Sequence, residues 1–258
     1  MNQASPPFDS YLPPTAERVG VVIPVYGESD SVVEVLNRFP RNVVDTICLV
    51  VDVPIREVMS KVRAAAEQCG TTTRLIKNRE RRGVGVSILQ GLDYLRETRH
   101  TIAVVMAGNG KDDPREIPRV LEPVLEDQAD YVQGSRYLEG GKTLRMPFVR
   151  KVFNRAYPKI WALITGKNCT DVTNGFRCYR LGFLDDTRIN PRQEWLRGYS
   201  LEYYLHYKAI TLGYRVKEVP VSKIYPFGHK GGYSKISPLS DWWSIVSPPV
   251  WLHFGVKR

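Results

Sequence analysis

A short polar segment at residues 107–113 lies between an apolar run and a proline. Residues 102–106 have the composition of a strand that is buried on both faces of a parallel sheet. Gly108 and Gly110 allow the backbone to approach a ligand closely. The residues typical of the following helix start are Asp112, Asp113 and Pro114. Because α/β enzymes often bind a phosphate or a metal in such a loop, residues 107–113 are the first candidate site.

Ala107 stands at the carboxyl end of the predicted strand. Ligands of open parallel sheets bind outside the carboxyl ends of the strands, so a carboxylate would be most useful at this position. The chain carries a methyl group there instead. Polar groups also follow the other predicted strands, where they could line one crevice: Tyr26, Glu28, Asp52, residues 79–82 and residues 134–136.

The formal net charge is +10, from 37 basic and 27 acidic residues spread along the chain. This balance indicates an anionic partner, either a nucleoside diphosphate or an acidic lipid surface, with a solvated basic surface as the alternative. Nucleic acid is not expected because no basic block is interleaved with aromatic residues. The four cysteines form no CxxC pair, which favours reduced thiols in a cytoplasmic protein.

Strand and helix patterns alternate along residues 18–225, which predicts one α/β domain with a mainly parallel sheet and helices on both faces. The predicted strands are residues 18–25, 46–51, 71–77, 102–106, 129–133, 174–180 and 214–221. The predicted helices are residues 29–38, 56–68, 83–99, 115–127, 148–164 and 201–212.

Two flanking segments lie outside this pattern. Residues 1–17 are polar and proline-rich and are predicted to be a flexible tail. Residues 226–258 hold a glycine-rich basic loop and a Trp-rich apolar segment that Pro248 and Pro249 interrupt. No stretch reaches the roughly 18 to 20 apolar residues that span a bilayer. The Trp-rich segment either packs on the domain or faces a membrane surface and the acceptor.

An ordered set of motifs spans residues 18–237, whereas the phosphate-binding motifs GxGxxG and GxxxxGK[ST] are absent. The set comprises VVIPVY at 21–26, NRERRGVGVSILQG at 78–91, DDP at 112–114, DYVQGSRYLEGG at 130–141, DVTNGFRCYR at 171–180, Glu202, and GYSK at 232–235. In this order the motifs resemble family 2 glycosyltransferases of the GT-A fold. The resemblance is strongest to the branch of polyprenyl- and dolichyl-phosphate sugar synthases.

The resemblance implies an inverting transfer of a sugar from a UDP or GDP donor. It assigns the base and ribose to Pro24, Tyr26, Glu28 and Asp52. Departure of the diphosphate builds negative charge, which Arg81 or Arg82 could stabilise. The other donor-binding candidates are Ala107, Asn109, Lys111 and Ser234. The implied cofactor is Mg²⁺ or Mn²⁺, and its candidate ligands are Asn109, Asp112 and Asp113.

Ala107 departs from the Asp-x-Asp pattern of the similar enzymes. Alanine offers a metal no oxygen ligand, and Lys111 adds positive charge where the metal should lie. Three explanations compete: Asp112 or Asp113 supplies the ligand, Lys111 partly replaces the metal, or Ala107 is an introduced change that disables the enzyme. The third is favoured, because the neighbouring features are all kept.

The acceptor decides which other groups are needed. A polyprenyl phosphate is already anionic at neutral pH, so its transfer requires no strong general base. This phosphate needs a bidentate or forked cation, which suits Arg136 and Arg177. Ser234 and Lys235 of the glycine-rich loop would close over the phosphates. Such an enzyme would act as a peripheral protein at the cytoplasmic face of a membrane.

Two alternatives keep the same donor site. A hydroxyl acceptor, on a sugar, a glycolipid or a small molecule, would need a general base, for which Glu202 and Asp171 are the candidates. A noncatalytic nucleotide-sugar binding protein is the other alternative, and Ala107 is the feature that motivates it.

Overall fold

The protein is built around a mainly parallel sheet, seen in a computed structural model that describes residues 17–26, 29–54, 56–225 and 240–258. The strands are β1 (Val19–Tyr26), β2 (Thr46–Asp52), β3 (Thr72–Asn78), β4 (Ile102–Val105), β5 (Tyr131–Ser135), β6 (Lys142–Leu144), β7 (Arg177–Arg180), β8 (Val216–Pro220) and β9 (Ser222–Ile224). Seven of these form the central sheet in the order β3-β2-β1-β4-β7-β5-β8, in which β7 alone runs antiparallel. The described strands β6 and β9 pair in parallel as a second small sheet.

Helices cover both faces of the central sheet. They are α1 (Ser29–Asn37), α2 (Arg56–Gln68), α3 (Val84–Glu97), α4 (Ile117–Leu125), α5 (Phe148–Thr165), α6 (Ser200–Thr211) and α7 (Ser240–His253). One apolar core joins the sheet to α1, α2 and α4, and a second joins its other face to α3 and α6. A third apolar cluster lies between α5, α6 and α7. The predicted α/β class with helices on both faces is confirmed.

The central strands are continuous apolar runs, as expected for strands covered on both faces. Every residue of β2 is buried, as is every residue of β4. The predicted bounds of both strands are correct to within one residue. The parallel register sets Tyr26 opposite Asp52, and Asp52 opposite Asn78, so three polar side chains meet at the carboxyl edge.

Two predicted elements begin differently in the structure, and two short strands were not predicted. The helix expected at 115–127 begins with a separate 3₁₀ turn, Pro114–Glu116, before α4. The strand expected at 174–180 begins only at Arg177. The carbonyl of Asn174 accepts hydrogen bonds from the side chains of Gln133 and Arg177, and its side chain donates to the Gly134 carbonyl of β5, in place of ladder bonds. The short strands β6 and β9 were not predicted, since three residues are too few to show an alternating pattern.

Pro248 and Pro249 lie inside α7 and do not interrupt it, contrary to the sequence expectation. Proline has no N–H, so the carbonyls four residues earlier, those of Ser244 and Ile245, lack their usual helical donors. Ser200 Oγ donates to the Ser244 carbonyl at 3.0 Å, and Tyr157 OH donates to the Ile245 carbonyl at 2.7 Å. The hydrogen bonds that the two prolines remove from the helix are therefore replaced by hydrogen bonds from α5 and α6, which fix α7 against both helices.

His206 lies on α6 with no exposed surface. Its ring stacks on Tyr131, with centroids 5.4 Å apart, and lies 5.3 Å from the ring of Trp161. Neither ring nitrogen has a hydrogen-bond partner among the described residues. Burial, with a smaller contribution from the charge of Arg177, lowers the pKa of His206 well below its ordinary value of 6.5. This histidine is therefore neutral in the folded protein at neutral pH.

A double-mutant cycle tests the role of the prolines in fixing α7. Tyr157→Phe should lower the free energy of unfolding by about 1–3 kcal/mol, because the Ile245 carbonyl loses its donor. In a Pro249→Ala background the new alanine N–H can donate to the Ile245 carbonyl. Tyr157→Phe should then lower the free energy of unfolding by less than about 1 kcal/mol. Urea unfolding of the four proteins measures both costs, and equal costs would contradict this account.

The stability of the protein should depend on His206 between pH 7.5 and pH 5.5. The unfolded chain protonates this histidine below its ordinary pKa of 6.5 while the folded protein does not, so stability is lost as the pH falls. His206→Phe keeps the ring stack and should reduce this loss by about 1.4 kcal/mol. Urea unfolding at both pH values provides the test. His100, whose pKa is also lowered by burial, is present in both proteins and cancels; identical losses would count against the prediction.

Candidate active site

A cavity of about 450 Å³ lies at the carboxyl ends of β1, β2 and β4. This volume is in the range of small-molecule sites. The strand-end loops supply one wall, which includes Pro24, Tyr26, Asp52, Arg81, Ala107, Asn109 and Lys111. Helices α5, α6 and α7, with the segment around β9, supply the other wall, which includes Arg150, Phe153, Asn154, Glu202, Tyr203, Lys223, Tyr225, Ser244 and Ile245.

Tyr26 and Arg81 form the outer part of the strand-end wall. The guanidinium carbon of Arg81 lies 4.8 Å from the centroid of the Tyr26 ring, which is a cation–π contact. Tyr26 keeps 36% of its surface exposed, so this flat pair can stack on a further planar group. Both residues were predicted to contact the donor, and the structure brings them together. Arg82 was predicted with them, but its side chain is not part of the cavity wall.

Asp52 is a buried anchor for the loop that carries Arg81. Its Oδ2 accepts the backbone N–H groups of Arg82 and Gly83, each at 3.1 Å. Its Oδ1 accepts hydrogen bonds from Asn78 Nδ2 at 2.7 Å and from Ser87 Oγ at 3.1 Å. Gly83 has a φ of +97°, which a glycine adopts without strain. Asp52 lines the cavity as predicted, but its carboxylate already accepts these four hydrogen bonds. They fix the N-terminus of α3.

Asp112 is the buried carboxylate of the loop at 107–113, and its contacts differ from those of a metal ligand. Its Oδ1 accepts Lys223 Nζ at 2.7 Å, and its Oδ2 accepts the backbone N–H of Ala107 at 3.2 Å. Lys223 also donates to Asn174 Oδ1 at 2.9 Å. Asp112 has no exposed surface, whereas Lys223 reaches the cavity wall. The carboxylate therefore faces a lysine ammonium.

Asp113 does not line the cavity and instead binds Arg115. Its two oxygens pair with the guanidinium of Arg115, the shorter contact being 2.6 Å, and Oδ1 also accepts the Arg115 backbone N–H at 3.0 Å. The hydrogen bond from Arg115 holds the pKa of Asp113 below its ordinary value. Asp113 thus caps the 3₁₀ turn Pro114–Glu116.

The residues present do not fit a divalent metal in this loop. Ala107 has no oxygen, the Asn109 Oδ1 accepts the backbone N–H of Lys111 at 3.2 Å, and both aspartates bind cationic side chains. Mg²⁺ and Mn²⁺ require several oxygen ligands, preferably carboxylates. Among the described residues, no group of three acidic, histidine or cysteine side chains could hold a metal. The expectation of a metal bound by Asn109, Asp112 and Asp113 therefore disagrees with their contacts.

Arg136 and Asp171 form a buried ion pair. Arg136 Nε donates to Asp171 Oδ2 at 2.6 Å, and a terminal nitrogen donates to Oδ1 at 2.8 Å. Arg136 is 4% exposed and Asp171 is not exposed at all. Burial alone would raise the pKa of Asp171, but the Arg136 charge holds it below its ordinary value. Arg136 touches the cavity, yet its guanidinium is already bound, and Asp171 lies behind it.

Arg177 is a structural residue, contrary to its predicted role at the acceptor phosphate. It is 2% exposed and does not line the cavity. Its guanidinium donates to the carbonyls of Asn174, Val172 and Glu202 and to the hydroxyl of Tyr131. These donations tie β7 to the loop before it, to β5 and to α6. The sequence could not distinguish this buried arginine from one that binds phosphate.

Of the two carboxylates predicted as a general base, Glu202 lines the cavity and Asp171 does not. The side chain of Glu202 is 16% exposed, and Oε1 lies 3.9 Å from Arg177 Nε. Gly175 faces it so closely that a Cβ at this position would lie 3.0 Å from Oε1. Glu202 can therefore accept a hydrogen bond from a ligand while Arg177 balances part of its charge. The candidates Glu28, Ser234 and Lys235 lie outside the described residues.

Sequence reasoning missed Lys223 and most of the wall formed by α5 and α7. Lys223 stands between Val221 and Tyr225 in a segment with no motif, and only its distance from Asp112 reveals its role. Lys111, which was predicted, lies with its Nζ 5.0 Å from the centroid of the Tyr225 ring. The cavity thus combines cations from the strand-end loops with cations from the opposite wall.

The pattern of motifs and the fold agree with comparisons to known proteins. Residues 20–188 match the model of Glycosyl transferase family 2. Undecaprenyl-phosphate mannosyltransferase of Micrococcus luteus is 30% identical over 211 residues, covering 80% of this chain and 83% of that protein. Polyprenol monophosphomannose synthase of Mycolicibacterium smegmatis is 26% identical over 209 residues, covering 80% of this chain and 77% of that one.

A solved structure supports the same fold. Glucosyl-3-phosphoglycerate synthase of Mycobacterium tuberculosis superposes with a TM-score of 0.65 at 16% sequence identity, over 94% of this chain and 82% of that protein. At this identity the similarity concerns the fold, which has the GT-A arrangement expected from the motifs. The chain belongs to glycosyl transferase family 2 and is a glycosyltransferase with the GT-A fold.

Proposed function

We propose that the protein transfers a sugar from a nucleoside diphosphate donor to the phosphate of a polyprenyl lipid. The observation that carries the proposal is the position of the cavity between cationic strand-end loops and helix α5, which is basic and has exposed apolar side chains. The relatives named above, an undecaprenyl-phosphate mannosyltransferase and a polyprenol monophosphomannose synthase, support a lipid phosphate as the acceptor.

Helix α5 has an exposed apolar stripe as well as a buried face. The stripe contains Val149, Val152, Ala156, Ile160 and Leu163, whose spacing of three or four residues puts them on one side of the helix. Val149 is 69% exposed and Leu163 is 86% exposed. An exposed stripe of this kind suits contact with a lipid surface.

The charge of α5 is complementary to an anionic membrane. Its sequence contains four basic residues, Arg150, Lys151, Arg155 and Lys159, and no acidic residue. Arg150 also lines the cavity, as do Phe153 and Asn154 of the buried face. A lipid that enters along the stripe would therefore bring its phosphate to the cavity past basic side chains. None of the described helices is both long and apolar enough to cross a bilayer.

The donor would bind along the opposite wall. Tyr26 and Arg81 offer a stacking surface for the base, and Lys111, which lines the same cavity, would bind the diphosphate. In the proposed inverting reaction, a phosphate oxygen of the acceptor forms a bond to the anomeric carbon while the bond from that carbon to the diphosphate oxygen breaks. The departing diphosphate gains negative charge, which nearby cations stabilise. Glu202 would then hold a hydroxyl of the sugar.

A hydroxyl acceptor is the second candidate, and Glu202 is the observation that favours it. It is the carboxylate on the α6 side of the cavity, and it could take a proton from an acceptor hydroxyl. The noncatalytic alternative has no comparable support, because the family assignment is that of an enzyme.

The acceptor assay separates these possibilities. We expect labelled sugar to pass from UDP- or GDP-hexoses to undecaprenyl or dolichyl phosphate, and not to the matching polyprenol without phosphate. Glu202→Gln should lower kcat on the lipid phosphate by less than about tenfold, since an anionic acceptor needs no base. A transfer to the free alcohol that Glu202→Gln slows by about 10²–10⁴-fold would favour the second candidate. No transfer to either acceptor from any donor would contradict the proposal.

The membrane contact has its own test. Sedimentation with vesicles that contain phosphatidylglycerol should fall about tenfold for Val152→Glu/Leu163→Glu, because both substitutions put charge on the exposed stripe. Leu125→Glu is the matched control, since Leu125 is a 49% exposed leucine at the end of α4. Equal vesicle binding by both variants would argue against α5 as the contact surface.

A further inference from the structure

Lys223 and Asp112 form a rigid pair where a metal would be expected. Asp112 has its two oxygens bound by Lys223 Nζ and by the Ala107 N–H. Residues 112 and 223 also form an antiparallel bridge, and the Ile224 N–H donates to the Lys111 carbonyl at 3.0 Å. The segment of β9 is therefore fixed directly against the loop at 107–113. The position of the ammonium is set by backbone contacts as well as by its charge.

Asn174, the second hydrogen-bond partner of Lys223, helps to orient the lysine ammonium. Asn174 Oδ1 accepts a hydrogen bond from the Lys223 ammonium. Asn174 Nδ2 donates to the Gly134 carbonyl at 3.1 Å, and this second bond sets the orientation of the amide. An ammonium has three N–H groups, and two acceptors for them are found among the described residues. Lys223 lines the cavity although it is only 9% exposed. Its remaining N–H is thus available to a ligand in the cavity.

The local charges favour an anion and disfavour a cation. Lys111 and Lys223 carry one positive charge each and Asp112 carries one negative charge, so these cavity-edge residues have a net charge of one positive. A divalent cation placed beside Lys223 would be repelled, and Asp112 could bind it only by releasing the lysine. A diphosphate would gain charge-assisted hydrogen bonds from the same ammonium groups.

We propose that Lys223, together with Lys111, supplies the positive charge that a divalent metal would otherwise supply to the donor diphosphate. The inference rests on the proposed function, because it takes the ligand to be a nucleoside diphosphate sugar. Lys223 and Lys111 contact the diphosphate, whereas Asp112 and Asn174 are positioning residues for Lys223. Donor binding then needs no divalent metal. Of the three explanations for Ala107, this inference extends the partial replacement of the metal by Lys111, and it adds Lys223.

Calorimetry with UDP and GDP tests the inference directly. The Kd of the nucleotide that binds should change by less than about threefold between a buffer with EDTA and one with Mn²⁺. Mn²⁺ titrated alone should give no binding heat. Nucleotide binding that requires Mn²⁺ would overturn the inference and leave the proposed function intact. If neither UDP nor GDP bound in either buffer, the inference and the proposed function would both fail.

Variants of the pair provide the second test. Lys223→Met/Asp112→Asn removes both charges, so no carboxylate is left buried without a partner. In EDTA this variant should bind the nucleotide about 10- to 100-fold more weakly, with a circular dichroism spectrum like that of the wild type. Lys217→Met, which removes an exposed lysine of β8, is the matched control and should bind normally. A folded double variant with wild-type affinity would overturn the inference.

Lys223→Arg provides a further readout. Arginine keeps the positive charge, so this variant should retain more nucleotide affinity than the neutral double variant. If the arginine variant and the neutral variant lost affinity equally while both remained folded, charge would not be the property that matters, and the inference would fail.

Discussion

A carboxylate that is removed from water must be neutralised or fully hydrogen-bonded, and this requirement organises the carboxyl edge of the sheet. Three aspartates meet it in different ways. Asp52 accepts two backbone N–H groups and two side-chain donors, Asp171 pairs with Arg136, and Asp112 pairs with Lys223. These bonds join segments that are distant in the sequence. The cavity wall is therefore held by the same groups that would, if exposed, bind ligands.

This constraint explains which parts of the site could be predicted from the sequence. The strands are long apolar runs, and the order of polar groups at their ends follows from parallel topology, so the strand-end wall with Tyr26, Arg81 and Lys111 could be located. What a sequence does not give is the partner of a charged side chain. Arg136 and Arg177 look like phosphate ligands in a motif, but the guanidinium of each already donates to buried acceptors.

The opposite wall was beyond sequence reasoning for a different physical reason. Lys223 comes from a three-residue strand, and its contact with Asp112 spans 111 positions of the chain. The prolines of α7 appeared to interrupt the segment, because the loss of an N–H is local information. Their compensation by Ser200 and Tyr157 depends on tertiary packing. Both cases are long-range contacts that leave no periodic pattern.

The apolar stripe of α5 lies on the same helix as residues that line the cavity. For the proposed reaction, this means that the two substrates come from different phases. The water-soluble one diffuses in three dimensions to the strand-end loops, whereas the lipid diffuses laterally within one leaflet and arrives beside α5. Encounter with the lipid is then governed by its surface density and not by its concentration in the bulk solution.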